Sequence, residues 1–506
     1  MKSYPADPFS SSRAGFDALV ARLSGDGAAG LTHGEVERLI DDDGREVLRL
    51  LMQDHVHLRS VKEEPSIEPM RGADGVLRSE KRTTSRALGT LFGDIGVQRL
   101  TLVKRGASGG LRPLDAYLNL PAGKYSEGVG RRLAWEVAQC SYDAAVANLR
   151  RTTGTTLAKR QAEELVLGLA QDFEAFYLAQ PLQSVCSEDL LVLSFDGCGV
   201  VMRPEALRPE TRKRAENTRK RSTAETVAAT RDRSARKNRK RMATVAAVYD
   251  LIVVPRSPED ILRELHRTGP HKPRPKAKNK RVWASLEKSV PEVVDDAFLE
   301  ACRRDDAYHR RWVALVDGNE EQIRWIGAKA RDYGVEVTLV VDFIHVLGYL
   351  WKAGKALEGD DPATIEAWVA ERSLRLLRGE ASGVAAGIRR AATARGLKGS
   401  ARKAADACAR YLLNHKEFLR YHEYLRDGLP IASGVIEGAC RSLVRDRMDI
   451  TGARWSLRGE AVLKLRSLRA TGDLDAYLDF HAGHELQRNH LGRFDDSELP
   501  DLRSAA

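Results

Sequence analysis

The sequence predicts a mixed α/β chain, and three observations carry that prediction. Apolar runs of strand length stop at aspartates: "VLSFDG" at Asp196, "VALVDG" at Asp317 and "TLVVDF" at Asp342. Stretches with helical spacing lie between and after them. The 506 residues, 42% of them hydrophobic, suffice for two to four domains. An apolar run that stops at an acid is how a buried strand delivers a carboxylate to the edge of a sheet. One such acid is commonly just an Asp-Gly turn. Several in one region, with helices between, form a pattern.

Charged residues make up 30% of the chain and the net charge is +11. That balance points to an acidic partner, nucleic acid first, although a ribosomal or membrane-surface protein would share it. No apolar run approaches the roughly 20 residues that span a bilayer, and the N-terminus lacks an apolar signal core, so a cytoplasmic protein with no membrane partner is expected. The cysteines (Cys140, Cys186, Cys198, Cys302, Cys408, Cys440) form no CxxC pair, which predicts reduced, mostly buried thiols.

Residues 1–84 read as a polar helical region, with Val36, Leu39, Ile40, Val47, Leu50 and Leu51 at helical spacing. His55 and His57, two apart, would point to different sides of a helix, which argues against metal binding. "VQRLTLVKR" and the glycine-rich turn after it read as a hairpin. The segment from Tyr125 reads as three short helices broken at "QCSY" and "TTGTT". With Arg150, Arg151, Lys159 and Arg160 nearby, they are either a helix-turn-helix or an ordinary helical pair. "DLLVLSFDGCGVVMRP" is a strand with Asp196 at its far end. Between Arg212 and Arg241 stand thirteen basic and three acidic residues, and "MATVAAVYDLIVV" follows at once. A basic excursion between two strands is a candidate DNA-contacting loop, carried by Arg236, Lys237, Arg239 and Lys240. A solvated face is the other reading. "SPEDILRELH" has an N-cap and an acidic first turn, and "GPHKPRPKAKNK" is a loop. Strand, turn and helix then recur twice, after Arg311 and after Val335. Residues 356–430 are helical.

Divalent cations such as Mg²⁺ take two or three carboxylates plus water and phosphate. Two of them about 4 Å apart can activate a nucleophile and stabilise a leaving oxygen in phosphoryl transfer. Strand-end acids plus one helical acid meet that need. Glu437, between Gly434 and Gly438 in "SGVIEGACRSLVRDRMDITGARWS", is the helical candidate. Arg441 and Arg445, near one and two turns on, would bind flanking phosphates, and Arg447 would point elsewhere. A surface helix with ion-paired acids and arginines is the alternative.

"FDGCG", "LVDG", "DFIHVLGYLWKAG" and above all "GLPIASGVIEGACRSLVRDRMDITGARWSL" resemble the DDE transposases of bacterial insertion sequences, in particular the ISKra family, related to the Mutator-like group. The resemblance covers roughly residues 85–485. It implies an α/β, RNase H-like mixed-sheet core interrupted by an all-α insertion, with a helical N-terminal DNA-binding region. It implies Asp196, Asp317 and Glu437 as catalytic acids holding Mg²⁺ or Mn²⁺, as two ions. Asp342 and His345 in "DFIH" would stand beside the site, His345 with a catalytic role unless it is a core histidine with Val346, Leu350 and Trp351. Family members often carry glutamate where this chain has Gly348. Trp455 is either core or DNA-stacking. The 120 residues from Asp317 to Glu437 leave room for about six helices.

The expected organisation is residues 1–84 N-terminal, 85–185 hairpin and helix-turn-helix-like, 186–355 first part of the core, 356–430 insertion, 431–485 last part of the core, and 486–506 tail. The implied activity is metal-dependent cleavage and strand transfer at the ends of an insertion sequence. The implied partners are double-stranded DNA, as terminal inverted repeats and target, and further copies of the chain as a dimer or larger, near the bacterial nucleoid. A nuclease of the same fold, a transposase-derived DNA-binding protein that no longer cuts, and a structural RNA-binding protein are the alternatives.

Overall fold

The computed structural model describes the chain apart from residues 1–6, 64–66, 182–187, 223–238, 267–268, 270–274, 433, 451, 496–497 and 499–506, and apart from the side chains of 63 and 218–222. It is mixed α/β, 58% helix and 16% strand. Two compact units divide it: residues 1–179 with 472–506, and residues 180–471.

The first unit opens with α1 (Ser10–Ser24) and the long α2 (His33–Glu63). Strands β1 (Glu80–Thr90) and β2 (Gly93–Val103) pair antiparallel in full register through the two-residue turn Leu91–Phe92. Gly93 takes a φ of 127° there, open to glycine. The hairpin was expected, but with its turn after "VKR". The partner strand instead precedes it, and the loop after β2 only brings Leu111 back to bridge Leu102. Val56 of α2 packs with Leu88, Ile95 and Val97 on one face of the hairpin. After α3 (Pro113–Tyr117) come α4 (Glu127–Val137), α5 (Tyr142–Thr152), α6 (Lys159–Leu169) and α7 (Phe173–Ala179). Ser126 and Ser141 cap α4 and α5 by accepting from Val129 and Ala144 N–H groups, so the breaks fall where the sequence put them. Lys159 and Arg160 pair with Asp143 and Glu164, while Arg150 and Arg151 are exposed.

The second unit is built on one five-stranded sheet. β3 (Leu190–Val201), β4 (Lys240–Leu251) and β5 (Lys278–Ser285) run antiparallel to their neighbours, and β6 (Trp312–Val316) and β7 (Val337–Val341) run parallel to β3, in the order β5-β4-β3-β6-β7. Leu190–Phe195 and all of β6 are buried, as the continuous apolar runs of covered strands require. α8 (Pro209–Ser222) stands between β3 and β4, α9 (Pro258–His266) follows β4, and α10 (Val290–Arg304) follows β5. α11 (Glu320–Tyr333) and α12 (Phe343–Glu358) follow β6 and β7. Then come α13 (Pro362–Leu377), α14 (Ala381–Ala394), α15 (Gly399–Asn414), α16 (Tyr421–Arg426), α17 (Gly434–Ala439) and α18 (Gly459–Thr471). Six helices, α11 to α16, thus lie between Asp317 and Glu437 among the described residues.

Among the elements with no counterpart in the sequence reading are β5, whose first residues fall in the lysine-rich "loop", and α10. α10 carries a capping box, with Ser289 and Glu292 bonding each other's backbone N–H. The compact units also divide elsewhere than expected. The hairpin begins before residue 85, and α19 (Leu474–Asn489) packs in the first unit, not in a core reaching 485. Tyr477 stands edge-on to Phe176 at 5.5 Å, and His481 and Arg488 bond the buried Asp172.

Candidate active site

Asp196 is not at the far end of its strand but in the middle of β3. What ends there is its neighbour. β6 pairs with β3 through Ser194 opposite Leu315, and Asp317 directly follows the last residue of β6. The same register carried two residues on sets Asp196 beside Asp317, one strand spacing of about 4.8 Å away. Both are part-buried. The Asp317 carboxyl is held above the ordinary carboxylate range, first by burial and also by the charge of Asp196, against the Asn319 N–H and nearby His345.

The turn after β6 is fixed from two sides. Asp317 accepts from the Asn319 N–H at 2.9 Å, and Asn319 caps α11 by accepting from the Glu321 N–H at 2.9 Å. From the helical segment, the Tyr411 hydroxyl donates to the Asp317 carbonyl at 2.7 Å and His415 Nε2 lies 2.9 Å from the Gly318 carbonyl. Tyr349 of α12 stacks on Tyr411 with centroids 4.0 Å apart. Gly318 has a φ of 88°, and a Cβ there would stand 2.7 Å from the Tyr411 hydroxyl. Burial pushes the Tyr411 hydroxyl up in pKa, so it stays a donor.

Asp342 is buried and caps α12, accepting from the Ile344 N–H at 2.7 Å. His345, in the first turn of α12, is exposed and not part of the core. A Cβ at Gly348 would meet open space, so glutamate would fit there.

Glu437 is exposed on α17. One turn on, Cys440 is fully buried, and its thiol donates to Asp196 Oδ2 at 3.2 Å. That contact docks the glutamate-bearing helix on the face of β3 from which Asp196 projects. Burial pushes the Cys440 thiol well up, and the Asp196 charge adds to it, so it acts as a donor and not as a thiolate. Gly434 and Gly438 border open space, and Glu437 lines a groove of about 450 Å³ with Ile344, Pro430 and Arg256. α17 runs into a π-turn, Cys440–Arg445, before Asp446–Met448. The wider turn changes the predicted spacing of the arginines. Arg445 turns to the Cys198 thiol, within electrostatic reach of Asp196, whereas exposed Arg441 pairs with Asp446 at 3.7 Å. Arg447 points elsewhere, as expected: it is buried with its guanidinium 4.8 Å from the Trp455 ring. Trp455 is part-buried and donates to the Met448 carbonyl at 3.2 Å.

Of the basic run, Arg236 and Lys237 lie outside the described residues. Arg239 is exposed just before β4, and Lys240 opens β4 and pairs with Asp449 at 3.2 Å. Among the described residues, no three His, Cys, Asp or Glu side chains are grouped to hold a metal ion. Asp196 and Asp317 stand together, and Glu437 is tied to them through Cys440. The sequence reading missed Tyr411, His415 and Cys440. No local signal marks the first two, but Cys440 falls one turn from Glu437.

No known family model matches the chain, and a search of curated proteins returns no match.

Proposed function

We propose that the chain is a DDE transposase: residues 180–471 are an RNase H-like core with an all-helical insertion, and they cleave and join DNA at the ends of an insertion sequence. The observation that carries the reading is the pair Asp196, on β3, and Asp317, just past the end of the parallel neighbour β6, side by side where the β3–β6 register is carried on, with the Glu437 helix docked on Asp196 through Cys440. The five-stranded sheet supports it, since it is mixed, with three antiparallel strands and two parallel to the first, and a mixed sheet is what the sequence resemblance implies. The donor set is all oxygen and carries paired, part-buried charge that a hard cation would neutralise, so Asp196, Asp317 and exposed Glu437 would hold Mg²⁺ or Mn²⁺. When bound, such ions supply an activated oxygen nucleophile and charge neutralisation at phosphorus. Arg445, turned to the Cys198 thiol and within electrostatic reach of Asp196, would hold a phosphate beside that acid. His345, exposed near Asp317, faces solvent where a scissile strand would lie.

The test is cleavage and strand transfer on duplexes carrying the inverted repeats that flank the coding sequence, in Mg²⁺ or Mn²⁺. Asp196→Asn, Asp317→Asn and Glu437→Gln should each abolish both steps while leaving DNA binding largely intact, because affinity comes mainly from phosphate contacts by Lys and Arg. Cutting without joining of pre-cleaved ends would make the protein a nuclease. A variant that cuts at near wild-type rate would remove its residue from the site.

A further inference from the structure

The first unit holds a charged site that the acids of the sheet do not use. On the β1–β2 ladder Arg86 opposes Val97 and Arg99 opposes Thr84, so the two arginines are diagonal neighbours on one face. Arg112 stands at the start of α3, and Arg493 ends the short turn after α19. With Asp115 and His490 they line a cavity of about 220 Å³. Four guanidiniums therefore share one carboxylate, an excess of three positive charges.

That carboxylate is already taken: Arg99 donates to Asp115 Oδ2 at 2.6 Å. Arg86 spends its terminal nitrogens on the Pro121 and Gly123 carbonyls at 2.7 and 3.0 Å. The Nε atoms of Arg86, Arg99 and Arg112 and the Oδ1 of Asp115 are buried without a hydrogen-bond partner. Among the described residues no acid stands at ion-pair distance from Arg112 or Arg493. His490 supplies no negative charge. Its Nε2 faces the Leu120 carbonyl at 2.7 Å, and burial holds its pKa below the usual histidine value. The Arg86 and Arg112 guanidiniums are held below their ordinary range, first by burial; the charge of Arg99 acts in the same direction on both. Charges gathered this way destabilise a fold unless a counter-charge completes the site.

We propose that this pocket binds a phosphate group. The cavity has room for about seven waters at roughly 30 Å³ each, enough for one phosphate and its hydration rather than for a whole nucleotide. Guanidinium forks match tetrahedral phosphate oxygens in pairs, and Arg112 and Arg493 are the forks left to turn to it. The group is either a backbone phosphodiester of DNA or a free phosphate. The pocket shares no residue with the sheet acids, so a failed cleavage assay leaves it standing.

The experiment uses the full chain and the Arg112→Gln/Arg493→Gln variant, with circular dichroism to verify folding and Arg493→Gln alone as the milder substitution at an exposed residue. Thermal unfolding is followed in sodium phosphate and in sodium chloride at matched ionic strength. Phosphate should raise the wild-type melting temperature by several degrees more than chloride, and the double variant should lose that excess. In parallel, binding to a duplex of arbitrary sequence is titrated at several salt concentrations. If the ligand is a DNA phosphate, the double variant flattens the log–log salt dependence by about 0.9 per lost contact. Phosphate-specific stabilisation with an unchanged slope assigns the pocket to free phosphate. Equal stabilisation by phosphate and chloride together with an unchanged slope would overturn the proposal.

Discussion

Gly318→Ala tests whether the helical segment fixes the position of Asp317. Two costs add. The residue has a φ of 88°, and a side chain in left-handed backbone costs about 1–2 kcal/mol. The new Cβ would stand 2.7 Å from the Tyr411 hydroxyl, 2.9 Å from Cε2 and 3.0 Å from Cζ. Tyr411 has little room to retreat, being 9% exposed and stacked on Tyr349 at 4.0 Å. Its hydroxyl must leave the Asp317 carbonyl, which forfeits a hydrogen bond worth about 1 kcal/mol net, and more if the carbonyl stays unpaired. The total is about 3 kcal/mol, which for a unit of this size is a fall of roughly 6 °C in its melting transition. Calorimetry of the full chain reads that shift. Tyr411→Phe alone should cost about 1 kcal/mol. The double variant should cost less than the sum, because the shared hydrogen bond can be lost only once. A Gly318→Ala protein that melts within a degree of wild type, or strict additivity in the double variant, would refute the clamp.

Three further outcomes are expected. Because the Asp317 carboxyl is held above its ordinary range, its ionisation weighs against the folded state once pH rises past the unfolded value near 4; Asp317→Asn in EDTA should therefore melt above wild type at pH 7, with the gap closing below about pH 4, and a lower melting temperature at pH 7 would contradict this. Burial pushes the Cys408 thiol up to about 12, so Ellman's reagent at pH 8 should leave it unmodified in native protein and label it on unfolding, as peptide mapping would read. Replacing Arg236, Lys237, Arg239 and Lys240 with Ala should weaken binding to any duplex and flatten its salt dependence by a few units, while equal slopes for variant and wild type would mean that these residues do not touch phosphate.

The strands of the second unit were legible where their chemistry is local. "WVALV" and "VTLVV" are covered strands and read as such, and Asn319 and Asp342 advertise the helices they cap. β5 was hidden because "KNKRVWAS" begins with lysines, and a strand whose first residues are exposed carries no apolar run there. α10 could have been found, since "SVPE" is a capping box with proline in the first turn. The hairpin was mislocated because glycine-rich "GASGG" outweighed the true turn, where only Gly93 marks the positive φ. The placing of Asp196 at a strand end was an error of the same kind: the strand continues, and it is the pairing with β6 that stops. Pairing is a property of two segments more than a hundred residues apart, and periodicity in one of them cannot report it.

The three acids reach their places by different means, and this sets how firmly each is held. Asp196 is fixed by a strand that keeps its β4 partner on one side after β6 has ended on the other, so its backbone is part of a ladder while its side chain faces an edge. Asp317 lies in a turn, where backbone would ordinarily be free, and it is held because Asn319 closes the turn from below and Tyr411 and His415 bond its two carbonyls from a helix about a hundred residues later. Glu437 has neither support. Its helix is six residues long, its carboxylate is exposed, and its tie to the sheet is Cys440, one turn on. A short helix is marginal by itself, so the buried thiol and the apolar Ile436, Leu443 and Val444 must anchor it. A carboxylate on an exposed side chain with three rotatable bonds can turn toward a ligand without moving the sheet. The π-turn that follows serves the same end, because the wider turn brings Arg445 to the Cys198 and Asp196 side of the strand while Glu437 stays in the open groove.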